Sequence, residues 1–124
     1  MLFRSQKNID LFTSAADTIC MDGNIVNKVG TLQIAILCKH LGISYFVTGI
    51  PDADKLKKDI VIEERNPNEV LKFNSLKNTL DGVEAYYPAF DITPPYLVNG
   101  VVTDKKIFSP YNLDEYYKGD VEQY

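Results

Sequence analysis

The sequence predicts an α/β fold, a parallel sheet with flanking helices, on three observations. An apolar run of strand length, Ile9 to Ala16, is interrupted only by Asp10, Thr13 and Ser14. A stripe of apolar residues at helical spacing follows over Lys28–Leu41, where Leu32, Ala35 and Ile36 fall at i, i+3 and i+4. A second short run of β-formers, Ser44–Thr48, comes next. Strand, loop, helix, strand in that order is a βαβ unit, whose two strands run parallel. Such a unit belongs to an open, doubly wound, Rossmann-like sheet.

Each element has its own signal. Ile9–Ala16 reads as a buried strand, and a polar, Gly-containing loop runs from Asp17 to Asn27. The helix over Lys28–Leu41 stops at Gly42, a natural C′ residue, and Lys39 and His40 suit the negative end of its dipole. Thr48–Asp59 reads as a polar loop and Ile60–Glu64 as a third strand. Asn66-Pro67, an N-cap followed by Pro at N1, starts a short helix to about Phe73. A surface loop over Asn74–Asp81 and a strand over Val83–Tyr87 come next. Thr93-Pro94 opens a further short helix to Val98. Val101–Thr103 and Lys106–Phe108 flank a turn at Asp104-Lys105, and Leu113–Lys118 reads as a last amphipathic helix. A doubly wound domain has more strands ahead of its first βαβ unit than this chain supplies, so truncation on the N-terminal side is expected. Leu2-Phe3-Arg4-Ser5 is what a common sequencing-adapter oligonucleotide encodes, which makes residues 1–8 an expected non-native or disordered leader.

With 124 residues the chain is long enough for one domain with a core and too short for two. Thirteen basic against 17 acidic residues, a net charge of −4, argue against nucleic acid, which needs a basic face. No stretch approaches the roughly 20 apolar residues of a membrane span, and Met1–Phe12 lacks a signal-peptide core, so a cytoplasmic protein is expected. Cys20 and Cys38 have no metal or redox spacing, and with His40 as the single histidine they are no zinc set. Cys38 reads as a small core residue, whereas Cys20 lies near a site loop and can be exposed.

The stretch richest in chemistry is Asp17–Thr31. Asp17 stands at the carboxyl end of the first strand, where open α/β sheets bind ligands. A carboxylate there can exchange a proton with substrate, or it can cap its loop, and spacing alone weighs the two equally. Asn27 and Lys28 are expected to open the helix, with Gly30 and Thr31 behind them. A helix amino end, an ammonium, an amide and a hydroxyl together would cradle a phosphate. The bland alternative, a capping Asn and a solvated Lys, holds for most helices. Gly23 and Lys28 have P-loop separation, but Asn27 replaces the second Gly and Val29 the Ser or Thr, so nucleotide hydrolysis is rejected. No G-x-G-x-x-G is present, and no dinucleotide cofactor is indicated. In Tyr86–Pro95 the prolines and aromatics read as structural, with Asp91 capping the following helix or holding a site loop. The charges of Ile62-Glu63-Glu64-Arg65 can pair with one another, orient a neighbouring subunit or face solvent.

Three separated segments, DGNIVNKVGTLQIAILCKHLGISYFVTG, IEERNPNEV and YYPAFDITPPYLVNGVVTDKKIFSP, resemble in order those of the methylthioribose-1-phosphate isomerase and initiation-factor-2B-like family. The resemblance runs from Ile9 to Pro110 and implies that residues 9–124 form the C-terminal part of an isomerase catalytic domain. It implies an aldose–ketose isomerase of a furanose 1-phosphate with no redox cofactor, in which Asp17 is the proton donor and Asn27 and Lys28 bind substrate. The family's catalytic cysteine would lie upstream, at the position of neither Cys20 nor Cys38, so the chain alone is expected to be inactive. The resemblance also implies a homodimer in the full-length protein. A non-catalytic regulatory subunit like those of translation initiation factor 2B is the alternative, against which the retained Asp17 counts. Ala15, Thr18 and Tyr87 depart from the family pattern. They leave methylthioribose, 5-deoxyribose and ribose bisphosphate open as sugars.

Overall fold

The computed structural model describes residues 8–118. The expected leader lies outside the described residues, apart from Asn8. Strand β1 (Leu11–Ala15) is followed by a β-hairpin, β2 (Thr18–Ile19) and β3 (Ile25–Lys28), and then by helix α1 (Thr31–Leu41) and strand β4 (Ser44–Thr48). Farther on come α2 (Asn68–Leu71), β5 (Lys72–Phe73), β6 (Leu76–Lys77), β7 (Phe90–Thr93), β8 (Gly100–Val102), β9 (Ile107–Phe108) and α3 (Glu115–Lys118).

The main sheet has the order β1-β4-β8-β9. β1, β4 and β8 run parallel, with Leu11 opposite Ser44 and Phe46 opposite Gly100, and β9 closes the edge antiparallel. The βαβ unit is therefore present, and the fold is the expected mixed α/β class with a parallel sheet. Its crossover is longer than a helix. The hairpin inserted before α1 pairs with β7 into a second, antiparallel sheet, β2-β3-β7. α1 packs against both sheets. The core lies between them: Ile19 and Ile25 from the hairpin, Ala35 from α1, Tyr45 and Val47 from β4, Val101 from β8 and Leu113 near α3. Phe12 and Leu32 pack on it from the side. Gly42 ends α1 at φ 68°, as its C′ position requires, with its N–H turned back to the helix carbonyls.

Several expectations need correction. β1 was expected to be buried, but it is an edge strand with Leu11, Thr13 and Ala15 exposed. Ile60–Glu64 and Val83–Tyr87 form no strands. They meet through two hydrogen bonds, Arg65 N–H to the Tyr87 carbonyl (2.8 Å) and Ala89 N–H to the Glu63 carbonyl (2.8 Å). The Asn74–Asp81 loop is entered through the β5–β6 hairpin, whose turn places Asn74 at φ 55°. The Pro94–Val98 helix is a single 3-10 turn over Pro95–Leu97. The βαβ unit, the β8–β9 hairpin around Asp104-Lys105 and a last short helix stand where the sequence puts them.

Candidate active site

Asp17 lies just beyond the carboxyl end of β1, and it is exposed. Its N–H donates to the Val26 carbonyl at 2.9 Å, while Thr18 is the register partner of that same Val26. The backbone of Asp17 is in this way fastened beside the strand that carries Asn27 and Lys28.

Asn27 and Lys28 do not open the helix. They are the last two residues of β3, opposite Asp91 and Phe90 of β7. As strand neighbours they point to opposite faces. The Asn27 amide donates from Nδ2 to the Thr31 hydroxyl (3.1 Å), and that hydroxyl donates to the Lys28 carbonyl (2.8 Å). Lys28 is exposed, with Nζ 5.8 Å from the centre of the Tyr87 ring. The four-carbon stem of a lysine leaves that ammonium free to swing around the end of the strand.

The phosphate cradle expected from Gly30, Thr31 and the amino end of α1 is filled from within. The Asp91 carboxylate accepts from Gly30 N–H at 2.7 Å and from Leu32 N–H at 3.1 and 3.2 Å. It is the capping group that α1 otherwise lacks, because Gly30 has no side chain and the first turn holds no acidic residue. Asp91 therefore caps a helix some 60 residues before it, not the one that follows. The local sequence does carry a signal of this: a helix entered through a glycine, which has no side chain to cap it, and with no acidic residue in its first turn, takes its acceptor from elsewhere.

Beneath this cluster lies Tyr45, fully buried, stacked on Phe12 at 4.6 Å and bonded through its hydroxyl to Ser14 Oγ at 2.6 Å. Burial raises the phenol's pKa, the Ser14 hydrogen bond works against that, and the nearby Asp91 charge adds to it. Cys20, expected near the surface, is instead fully buried, because the 50–59 loop folds over the hairpin through Asp52 N–H to the Ile19 carbonyl and Met21 N–H to the Lys55 carbonyl, both 2.9 Å. Burial, followed by the carboxylates of Asp22, Asp52 and Asp59, pushes its thiol up to about 11. Cys38 is buried in α1, as expected, and both thiols are free. Among the described residues no group of three or more His, Cys, Asp and Glu side chains is placed to hold a metal ion, and no helix is long and apolar enough to cross a membrane.

A parallel βαβ unit with an aspartate at its strand mouth, joined through an antiparallel hairpin to a polar strand end, defines an α/β domain of the Rossmann-like kind. Known proteins narrow the class. The chain belongs to the Initiation factor 2 subunit family, which matches residues 3–110. It is 38% identical over 114 residues to a methylthioribose-1-phosphate isomerase of Bacillus pumilus, covering 89% of this chain and 32% of that protein. To the enzyme of that name from Bacillus cytotoxicus it is 43% identical over 105 residues, covering 82% and 30%. Among solved structures, the 5-methylthioribose 1-phosphate isomerase of Pyrococcus horikoshii OT3 superposes with a TM-score of 0.82 at 35% identity, over 94% of this chain and 35% of that one. The delta subunit of translation initiation factor eIF-2B from A. fulgidus gives 0.77 at 29% identity, over 88% and 33%. The chain spans about a third of the length of the curated relatives it matches.

Proposed function

We propose that this chain is the C-terminal part of an aldose–ketose isomerase that converts a furanose 1-phosphate, methylthioribose 1-phosphate first among the candidates, into the 1-phosphoketose. The observation that carries this reading is the fastening of Asp17, at the mouth of the parallel sheet, to the strand ending in Asn27 and Lys28, in a chain 34–43% identical to proteins named methylthioribose-1-phosphate isomerase.

Phosphate at C1 blocks simple opening of the sugar ring. In this reading Asp17 gives a proton to the ring oxygen, or relays one, as hydrogen moves between C2 and C1. Lys28 meets the phosphorylated sugar with a point charge, and the free side of the Asn27 amide orients it. Neither cysteine of this chain serves as a nucleophile or acid, since both are buried and Cys20 stays a neutral thiol at ordinary pH. The part of the site that encloses the sugar comes from chain outside these 124 residues, and the piece alone has no turnover. The full-length protein acts as a homodimer.

The test is a product assay on the full-length parent with methylthioribose 1-phosphate, 5-deoxyribose 1-phosphate and ribose 1,5-bisphosphate. Asp17→Asn should abolish turnover while substrate still binds, and Lys28→Ala should mainly raise KM. Normal turnover by Asp17→Asn removes Asp17 from the mechanism. No turnover of any of the three sugars by the wild type, together with co-purification with translation factors, would favour a regulatory subunit, the reading supported by the likeness to the eIF-2B delta subunit.

A further inference from the structure

We infer that Asp91 is the positioning residue of this site, and that its charge closes the amino end of α1 to phosphate, so that the substrate's anion is held by side chains and not by the helix. The inference rests on the isomerase reading.

Three observations converge on it. Asp91 sits in register with Asn27, so the two face each other across the β3–β7 ladder. Its carboxylate reaches past Asn27 to the Gly30 and Leu32 N–H groups, at 2.7 Å and 3.1–3.2 Å. The residue just before that strand holds the turn once more, where Val29 N–H donates to the Ala89 carbonyl at 3.1 Å. Three N–H groups at the step from Lys28 into the helix, those of Val29, Gly30 and Leu32, thus end on residues 89–91, and the Lys28 carbonyl accepts from the Thr31 hydroxyl. Gly30 makes that step at φ 106°, a conformation that side-chain-bearing residues rarely adopt, although a Cβ there would meet nothing within 4 Å. The glycine serves the backbone path, and the path places its N–H on Asp91.

The electrostatics follow from the same contacts. The amino end of a helix is a ready anion site because its first N–H groups are unpaired and its dipole is positive there. At α1 an anion is already in place, supplied by the chain. A sugar phosphate brought to Gly30 and Leu32 would have to displace a carboxylate held by two N–H groups, the Gly30 bond short at 2.7 Å, and would be repelled by it. Lys28, exposed and one residue from this anchored turn, is left as the cationic group of this strand for the phosphate.

The experiment uses the full-length parent and compares Asp91→Asn with Asp91→Ala. The asparagine keeps one carbonyl oxygen at the right reach, so it retains the fold even where alanine does not. Asp91→Asn should lower kcat about tenfold and Asp91→Ala about a hundredfold, the size a displacement of about 1 Å carries, with KM nearly unchanged. A purely structural residue would instead lower the folded fraction and leave kcat per folded molecule intact. Inorganic phosphate should inhibit Asp91→Asn more tightly than wild type, since neutralising the cap opens the helix end to a competing anion. Wild-type kcat in folded Asp91→Asn, or phosphate inhibition equal to that of wild type, overturns the inference. A wild type with no turnover of any sugar tells instead against the isomerase reading on which it rests.

Discussion

Val47 and Val61 are the same residue in comparably apolar runs, SYFVT and DIVIE, and they end at opposite extremes. Val47 is 0% exposed in the middle of the parallel sheet, and Val61 is 91% exposed. The contrast extends to their regions. Residues 8–59 and 89–118 supply every member of the core cluster. The arm between them, residues 60–87, carries Phe73, Leu76, Leu80 and Tyr86 at 70–82% exposure and contributes nothing to that cluster. Apolar character sets what a segment gains by burial, but burial itself needs a second surface. The βαβ half has that surface in α1 and the hairpin, whereas the arm's ends are tied to each other by Arg65 N–H to the Tyr87 carbonyl and to the rest by Ala89 N–H to the Glu63 carbonyl.

That difference can be pressed from both sides. The largest effect belongs to the packed half. Ile25 is fully buried on the hairpin between the two sheets, and Ile25→Ala should cost about 2–5 kcal/mol in urea unfolding. A loss under about 1 kcal/mol would mean that the second sheet is not part of the cooperative unit. An intermediate effect is expected from Cys20. Its folded value of about 11 lies above the ordinary 9.0, so the neutral thiol belongs to the folded state. Its stabilising share is complete below pH 9.0 and fades as pH rises towards 11, while at pH 8 the folded chain should resist iodoacetamide that labels the unfolded chain fully. Rapid labelling of folded Cys20 would show that the 50–59 loop opens readily over the hairpin. The smallest effect falls on the arm: Leu80→Ala should shift stability by no more than about 0.5 kcal/mol. A loss above about 2 kcal/mol would mean that the arm is covered in solution, and a concentration-dependent melting temperature would name a second copy as the cover.

What the sequence disclosed divides along the same line. The helix stripe from Leu32 to Leu41, the Gly42 stop and the strand over Ser44–Thr48 were legible because period, cap and β-propensity all agreed and tertiary packing endorsed them. Ile60–Glu64 and Val83–Tyr87 have strand composition but no ladder beside them beyond two bonds, and propensity alone does not make a strand. Ile25–Lys28 was hidden for the opposite reason. Four residues with Asn and Lys at their end carry no strand signal of their own, and their pairing partner, Phe90–Thr93, lies more than 60 positions away. Asp91 reads as a cap or a holder of a site loop, but the helix it caps lies some 60 residues upstream, out of reach of a forward reading. Asp17, Asn27 and Lys28 were marked by position and resemblance, and the main-chain bond from Asp17 to Val26 shows how the backbone brings their strands side by side.

Gly23 carries a consequence for anyone who would alter this molecule. It turns the hairpin at φ 82°, and a Cβ built on it would stand 2.3 Å from the Pro110 carbonyl oxygen and 2.8 Å from the Pro95 ring. A methyl group there would wedge the hairpin tip away from two prolines that have little freedom to retreat. Libraries that randomise the 20–25 turn to retune the neighbouring site must hold position 23 fixed, or vary it jointly with the stretch near residue 110.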